Sequence, residues 1–507
     1  MRPWVLALFC IVAACAAGWL GANYIPRLSD HDGYFLVDVV DPVRVPLPSP
    51  QPRVTLVVVD GLRADSARTM ATVARLREHG QCRIADVGTY TVSRPIYALL
   101  STGLEVDRSG ARNNDETSAL RAESVWQVAT AAGLEVGVAS HLPWWHQLFV
   151  SGFARTVEVA KDEDVFHAAA QLRTDVTVIH PVYVDTAGHA FGAASPEYRA
   201  AVDRVDAEAL AWLQTVDLQR EIVLFTADHG HVDAGGHGAQ QPEIRGVLLC
   251  VAGPMIAVRS DAPAIDARVV APTVAVALGL RFPRNMRALD DDLDALWTIF
   301  TGLDAEYVED RRRSIDAFRQ RNAEALAGWL DDGQPPTWNA LAEQARRARY
   351  WRIALPLALL AAAIGFALRI RGLGAQQGAW SLLWIAGTLV VTAVVWVVVR
   401  GSFDYTSINE RVPFIRASLL ICAGVAIAAA WLHVRVFADP ARWAADQATV
   451  TLIAIGLSLG HVFAFGWPLE FPVPHRFVLF FPFLAATFGV VHGGLGVAAA
   501  LRWARSR

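Results

Sequence analysis

From about residue 346 onward, charge retreats mainly into short gaps between five apolar blocks: Ile353–Leu368, Ala379–Val399, Phe414–Leu432, Ala448–Trp467 and Phe477–Leu501. A further block, Trp4–Tyr24, opens the chain without a charge. Roughly 20 apolar residues suffice to cross a bilayer as a helix. The first C-terminal block is short for this unless Tyr350 and Trp351 sit at the interface, as aromatic belts do. The blocks predict about six spans in all. A cleaved signal peptide is the alternative for Trp4–Tyr24, with its Ala-Cys-Ala-Ala-Gly run, but the apolar stretch is longer than a usual signal core, which favours an uncleaved anchor. Arg2, Arg369, Arg371, Arg435, Arg442, Arg502, Arg505 and Arg507 then all fall on one side, which the positive-inside rule makes cytoplasmic. Arg346, Arg347, Arg349 and Arg352 run against the rule, but they close a long translocated segment, where the bias is weak.

Residues 25 to about 345 have ordinary polarity. Pro42, Pro46, Pro48, Pro50 and Pro52 make an extended lead-in that cannot be helical. Strands and helices then alternate. Val54–Val59 is a β-branched run with the pattern of a buried parallel strand. A helix is predicted over Ser66–His79, and strands over Cys82–Val87, Leu134–Ala139, Val176–Val184 and Ile222–Thr226. Ser195 followed by Pro196 marks a helix start, with the helix running to about Gln214. The alternation implies an α/β fold around a mostly parallel sheet with helices on both faces, joined to an all-α transmembrane region. The expected organisation is an anchor at 1–24, a linker at 25–53, a polar α/β domain at 54–300, a helical connector at 301–350 and a membrane domain of about five helices at 351–507.

Of the 507 residues, 54% are hydrophobic and 19% charged, which fits a chain partly in lipid. With a net charge of −4, no basic character points to a nucleic-acid partner. Lys161 is the only lysine among many arginines, a bias of GC-rich bacterial genomes. Cys10, Cys15 and Cys422 lie in apolar blocks. Cys82 and Cys250 lie in the polar half, where buried free thiols are the expectation and pairing in an oxidising compartment is the alternative.

The residues that carry chemistry follow the strands. Asp60 ends the first, Asp185 and His189 follow the 176–184 strand, Asp228 and His229 follow the 222–226 strand, and His237 lies eight residues further on. Sites in open α/β sheets form outside the carboxyl ends of strands, so these groups should converge. Singly, each is no more than a loop cap or an ordinary turn. Together, three carboxylates and three imidazoles need cations, and six ligands are too many for one tetrahedral ion. Two divalent ions are implied, with Zn²⁺ the natural choice and Mn²⁺ the alternative. In TVSRPIYALLSTG, Ser93 precedes Pro95 at a predicted helix N-terminus. It reads there either as an N-cap or as a nucleophile, with Thr91 as the rival hydroxyl.

The set VVVDGLR, TVSRPIYALLSTGL, DTAGHAFG and TADHGHVDAGGHG resembles the alkaline phosphatase superfamily, in particular its type I phosphodiesterase/nucleotide pyrophosphatase branch and the GPI ethanolamine phosphate transferases. The resemblance covers about 54 to 240. It implies that Asp185, His189 and His237 hold one metal, and that Asp60, Asp228, His229 and the Ser93 oxygen hold the other. Ser93 lies nine residues before Thr102, the spacing of the family's nucleophile, which favours it over Thr91. Asn114 is similar to the asparagine that binds the phosphoryl oxygen, with Asn113 one position away. The short gap from His229 to His237 resembles the transferases more than the classical nucleotide phosphodiesterases, although the membrane half here is far shorter than theirs.

The resemblance therefore implies a membrane-anchored, metal-dependent phosphodiesterase or phosphotransferase with a phosphoseryl intermediate and an extracytoplasmic catalytic domain. Its substrate would be a membrane lipid or envelope glycan phosphodiester such as phosphoethanolamine; GPI itself is excluded in a bacterium. A sulfatase is one alternative. Its motif needs arginine four residues after the nucleophile, where this chain has Tyr97, and a second Asp after Asp60, where Gly61 stands. A non-catalytic membrane protein retaining the fold is the other. The loops Phe403–Val412 and Leu469–Arg476, with Asp404, Glu410, Arg411, Glu470, His475 and Arg476, read as solvated charge or as an entry for a lipid headgroup. His461 and His492 fall within expected spans, where a polar group is either functional or paired inside the bundle.

Overall fold

A computed structural model describes residues 51–327, apart from 89, 105–108, 110, 112, 113, 115–118, 239, 240, 285 and 287–292, together with helices in 375–400 and 411–437 and the single positions 446 and 491. The described residues fall in two compact units, one holding 51–327 and the other the two later helices.

The first unit is built on an eight-stranded sheet. Its strands are β1 (Arg53–Val58), β2 (Gly80–Asp86), β3 (Val136–Ser140), β4 (Arg155–Glu158), β5 (Val176–His180), β6 (Glu221–Thr226), β7 (Gly246–Ala252) and β8 (Ile265–Asp266), and their order is β4-β3-β5-β1-β6-β7-β2-β8. Only β7 runs against the rest. The sheet is therefore mixed but mostly parallel, as the strand and helix alternation predicts. Leu56, Val57 and Val58 of β1 are fully buried, as are Ile222, Val223 and Leu224 of β6. Each such side chain contributes about 1.5–3 kcal/mol by leaving water. Because β5, β1 and β6 are parallel neighbours, their carboxyl ends lie side by side, and the residues after each strand share one edge.

Helix α1 (Ser93–Thr102) follows β2, α2 (Tyr183–Phe191) follows β5, and α3 (Pro196–Leu213) precedes β6. The signal at Ser195 is met: its side chain accepts the Tyr198 N–H at 3.0 Å and Pro196 opens the helix. Tyr198 then fastens the turn after β1. Its hydroxyl donates to the Gly61 carbonyl at 2.8 Å and accepts the Arg63 N–H at 3.0 Å. Gly61 has φ +72°, and a Cβ there would lie 2.7 Å from the Asp185 Cα, so no other residue lets the β1 turn approach α2 this closely.

Several expectations need correction. The 176–184 strand stops at His180, because Pro181 cannot extend the ladder and the apolar run that follows coils into α2. Asp185 and His189 are therefore on a helix, one turn apart. The predicted 66–79 helix is two, Ala64–Ala67 and Ala71–Arg77. The second starts where the Asp206 carboxylate of α3 accepts the N–H groups of Ala71 and Thr72 at 2.7 and 2.8 Å. Strands β4, β7 and β8 were not anticipated. Cys82 and Cys250, expected as free thiols, face each other across antiparallel β2 and β7 and form a disulfide. Their separation of 168 residues hides the pairing from local reading.

The second unit contains α4 (Ala375–Arg400) and α5 (Arg411–Phe437), which pack together and extend the expected 379–399 and 414–432 blocks. In α4 the hydroxyls of Thr388 and Thr392 turn back onto the carbonyls four residues earlier, at 2.8 Å each. Among the described residues no helix is long and apolar enough to cross a membrane. The expected anchor at 1–24, the linker up to residue 50 and the blocks 353–368 and 448–467 lie outside the described residues, as does 477–501 apart from residue 491. Of the 301–350 connector, Ala305–Ala327 is helical and the part after 327 lies outside. The side chains of both loops singled out above, and of His461 and His492, also lie outside.

Replacing Cys82 and Cys250 together by serine should lower stability by about 2–5 kcal/mol. The measurement is the urea midpoint of the double variant against the oxidised parent, and equal midpoints would mean that the bridge does not form.

Candidate metal centre

The edge shared by β5, β1 and β6 gathers all six ligands expected from the sequence. His229 is fully buried, and its Nε2 lies 3.3 Å from Asp228 Oδ2, 3.4 Å from Ser93 Oγ and 3.5 Å from Asp60 Oδ1. His229 Nδ1 faces the Gly230 carbonyl at 3.2 Å, so the proton sits there and Nε2 keeps its lone pair. Asp228 Oδ1 accepts the N–H groups of Gly61 and His229 at 3.1 and 2.9 Å. Its other oxygen, like Asp60 Oδ1, is buried without a hydrogen-bond partner. Two orphaned carboxylate oxygens and an imidazole lone pair thus converge on one point, where they would repel unless a cation joined them.

A second group adjoins the first. His189 Nε2 and His237 Nε2 are 3.0 Å apart, and they lie 3.5 and 3.6 Å from the two oxygens of Asp185. Two nitrogens bound to one tetrahedral zinc at about 2.0–2.1 Å stand roughly 3.3 Å apart, so the spacing suits a shared ion. His237 Nδ1 donates to the Thr91 carbonyl at 2.7 Å, which turns Nε2 toward Asp185. The His229 and His237 rings stack with centroids 3.7 Å apart and join the two groups. Asp60 with Asp228 and His229 makes one set of donors close enough for an ion, and Asp185 belongs to two others, with His229 and His237 and with His189 and His231.

The electrostatics point the same way. Burial pushes Asp228 well above the usual carboxylate range, and the charges of Asp60 and Asp185 add to the rise. Burial also acts to raise Asp60, but the hydrogen bond from His180, the pull of His229 and the Tyr97 hydroxyl outweigh it and hold the group below that range. Without a cation, one of the two ionises at the expense of the other. Burial lowers His229 to about 3 and drives His237 well below the ordinary histidine value, so both rings are neutral near pH 7, as ligands must be.

Ser93 is not the helix cap. Val92 holds that position, and Ser93 is the first residue of α1, buried with its Oγ on His229. Thr91 takes part through its backbone carbonyl. Asn114 accepts the Arg94 N–H at 3.0 Å and brings its amide nitrogen to 3.5 Å from Ser93 Oγ. Asn113 lies outside the described residues.

Three participants were not anticipated. Tyr97 donates to Asp60 Oδ2 at 2.6 Å, and its oxygen meets His180 Nε2 at 2.7 Å, which is itself 3.2 Å from the same carboxylate oxygen. Tyr97 is one helical turn beyond Ser93, so the i,i+4 spacing carried the signal. His180, the last residue of β5, carried none. His231 reaches Asp185 Oδ1 at 2.8 Å.

With the fold and this site in view, comparison finds that residues 54–242 match the model of the type I phosphodiesterase / nucleotide pyrophosphatase family. The suspected kinship is borne out. Among individual proteins, the chain is 28% identical over 274 residues to GPI ethanolamine phosphate transferase 1 of Gibberella zeae, covering 42% of this chain and 28% of that one. It is 23% identical over 330 residues to the Mus musculus protein of the same name, covering 55% and 32%. The chain thus spans about a third of the length of the curated relatives it matches. A solved murine ectonucleotide pyrophosphatase / phosphodiesterase 5 aligns with TM-score 0.42 at 13% identity, over 46% of this chain and 96% of that one.

Asp228→Asn keeps the oxygen that accepts two N–H groups and removes the charge facing Asp60. The metal-stripped variant should melt higher than the metal-stripped parent, while the rise in melting temperature on adding Zn²⁺ or Mn²⁺ should be lost. Thermal melts with and without chelator check both, and a variant that keeps the metal-dependent rise would remove Asp228 from the site.

Proposed function

We propose that this chain is a two-metal phosphodiester-cleaving or phosphoryl-transferring enzyme with Ser93 as its nucleophile. The observation that carries the reading is the convergence at His229 Nε2, where Ser93 Oγ and the orphaned oxygens of Asp60 and Asp228 all lie within 3.5 Å. Asp60, Asp228, His229 and Ser93 would hold one ion, and Asp185, His189 and His237 the other. When bound, such a pair lowers the pKa of a hydroxyl and neutralises charge on phosphoryl oxygens.

The chain's own groups then account for the rest. Ser93 Oγ, having given its proton to solvent, attacks phosphorus in line. The new Oγ–P bond forms as the bond to the leaving alcohol breaks, and that alcohol departs with a proton from solvent. The Asn114 amide nitrogen, within 3.5 Å of Oγ, is placed to donate to a non-bridging oxygen as charge builds. Water or a second alcohol then attacks the phosphoseryl ester and frees Ser93, water giving a diesterase and an alcohol a transferase.

The names of the relatives favour a lipid-linked or envelope phosphodiester, with phosphoethanolamine as the group moved. A membrane location is supported by α4 and α5, where Leu383, Val391, Val394, Val398, Leu420 and Trp431 are each at least half exposed and would need lipid or further apolar helices to cover them. The Cys82–Cys250 disulfide supports an extracytoplasmic, oxidising location for the catalytic domain. Against a sulfatase, Tyr97 stands where the arginine of the formylglycine motif would, and its hydroxyl is committed to Asp60.

The test uses the full chain in detergent micelles with bis-p-nitrophenyl phosphate and with phosphatidylethanolamine vesicles. Ser93→Ala should lose turnover and the phosphoserine peptide seen by mass spectrometry, with the melting temperature of the metal-stripped protein retained. Turnover near that of the parent would remove Ser93 as nucleophile.

A further inference from the structure

His231 lies two residues beyond His229, outside the six ligands read from the sequence, yet its ring is fully buried in the centre. Asp185, His189 and His231 bring donor atoms close enough for an ion, so distance alone would make His231 a ligand. The hydrogen bonds decide otherwise. The Gly236 N–H donates to His231 Nδ1 at 3.1 Å, so that nitrogen carries the lone pair and Nε2 carries the proton. Nε2 then donates to Asp185 Oδ1 at 2.8 Å. A nitrogen that spends its proton on a carboxylate has no lone pair left for a metal.

The surroundings hold this tautomer in place. The Val232 N–H donates to the Gly236 carbonyl at 3.1 Å and the Gly235 N–H to the Val232 carbonyl at 2.9 Å, a tight turn that aims the Gly236 N–H at the ring. A Cβ on Gly61 would stand 2.9 Å from His231 Nε2, and one on Gly188 only 2.6 Å from the ring, so both neighbours lack side chains where the imidazole sits. The ring meets His189 and His237 edge-on, with centroids 5.0 and 5.3 Å away, and fixes them by packing.

We infer that His231 is a positioning residue: it holds the Asp185 carboxylate through one oxygen and leaves the other, 3.5 Å from His189 Nε2, turned toward the ion that Asp185, His189 and His237 would share. The inference rests on the two-metal reading above. Donors of this kind behind a metal ligand typically govern about 10–100-fold in affinity.

The test compares His231→Ala with His231→Gln in the full chain. Glutamine can return an N–H donor to the place of Nε2 but cannot replace an imidazole ligand. Zn²⁺ alone is titrated calorimetrically into metal-stripped protein. In His231→Ala, one of two sites should weaken about 10–100-fold while the other is unchanged, and His231→Gln should recover most of the loss. A glutamine variant that loses the site as fully as the alanine variant would make His231 a ligand and overturn the inference. So would an alanine variant that binds both ions like the parent, since the ring would then only fill space. A parent that takes up no ion at all overturns the two-metal reading itself, a result separable from either of these.

Discussion

Mutual repulsion among Asp60, Asp228 and Asp185 is the constraint on which the rest of this structure turns. Three carboxylates are placed at one sheet edge with little water to screen them, and burial raises the cost of each charge. The fold meets part of that cost itself. Asp228 has one oxygen on two backbone N–H groups, Asp60 has Tyr97 and His180 on one oxygen, and Asp185 has His231. In each case the remaining oxygen is turned inward, toward an imidazole Nε2. The proposed cations would offset the charge that the fold leaves uncompensated.

The sheet supplies the precision. Parallel neighbours β5, β1 and β6 end together, so residues 60, 185 and 228, scattered along the chain, arrive at the same height. The reversal of β7 allows the chain to leave β6, form the loop with His229, His231 and His237, and return directly beside the strand it left. A parallel β7 would have needed a crossover in that place. The disulfide between β2 and β7 then ties this returning strand to the one that feeds the Ser93 helix.

Much of this was legible in the chain itself. Buried parallel strands are continuous β-branched runs, so β1 and β6 were plain, and the strand-end rule sent Asp60, Asp228 and His229 to a common edge. The reading failed where local pattern is silent or ambiguous. The 181–184 run is apolar in either state, and only packing made it a helix. On local sequence Ser93 before Pro95 reads better as a cap than as a nucleophile, and only the position of His229 shows its hydroxyl facing the centre. His180 and His231 act through partners 120 and 46 positions away, distances over which no periodicity carries information, and Tyr97 was marked only by its helical spacing from Ser93.

By itself, then, the sequence determined the alternation of elements, the apolar blocks and which carboxylates and imidazoles follow the strands, because these depend on composition and near-neighbour spacing. Tertiary structure alone decided which nitrogen of each histidine faces the centre, which carboxylate oxygen is left open and that Cys82 meets Cys250. Those outcomes are set by hydrogen bonds and register between segments brought together only when the sheet is complete.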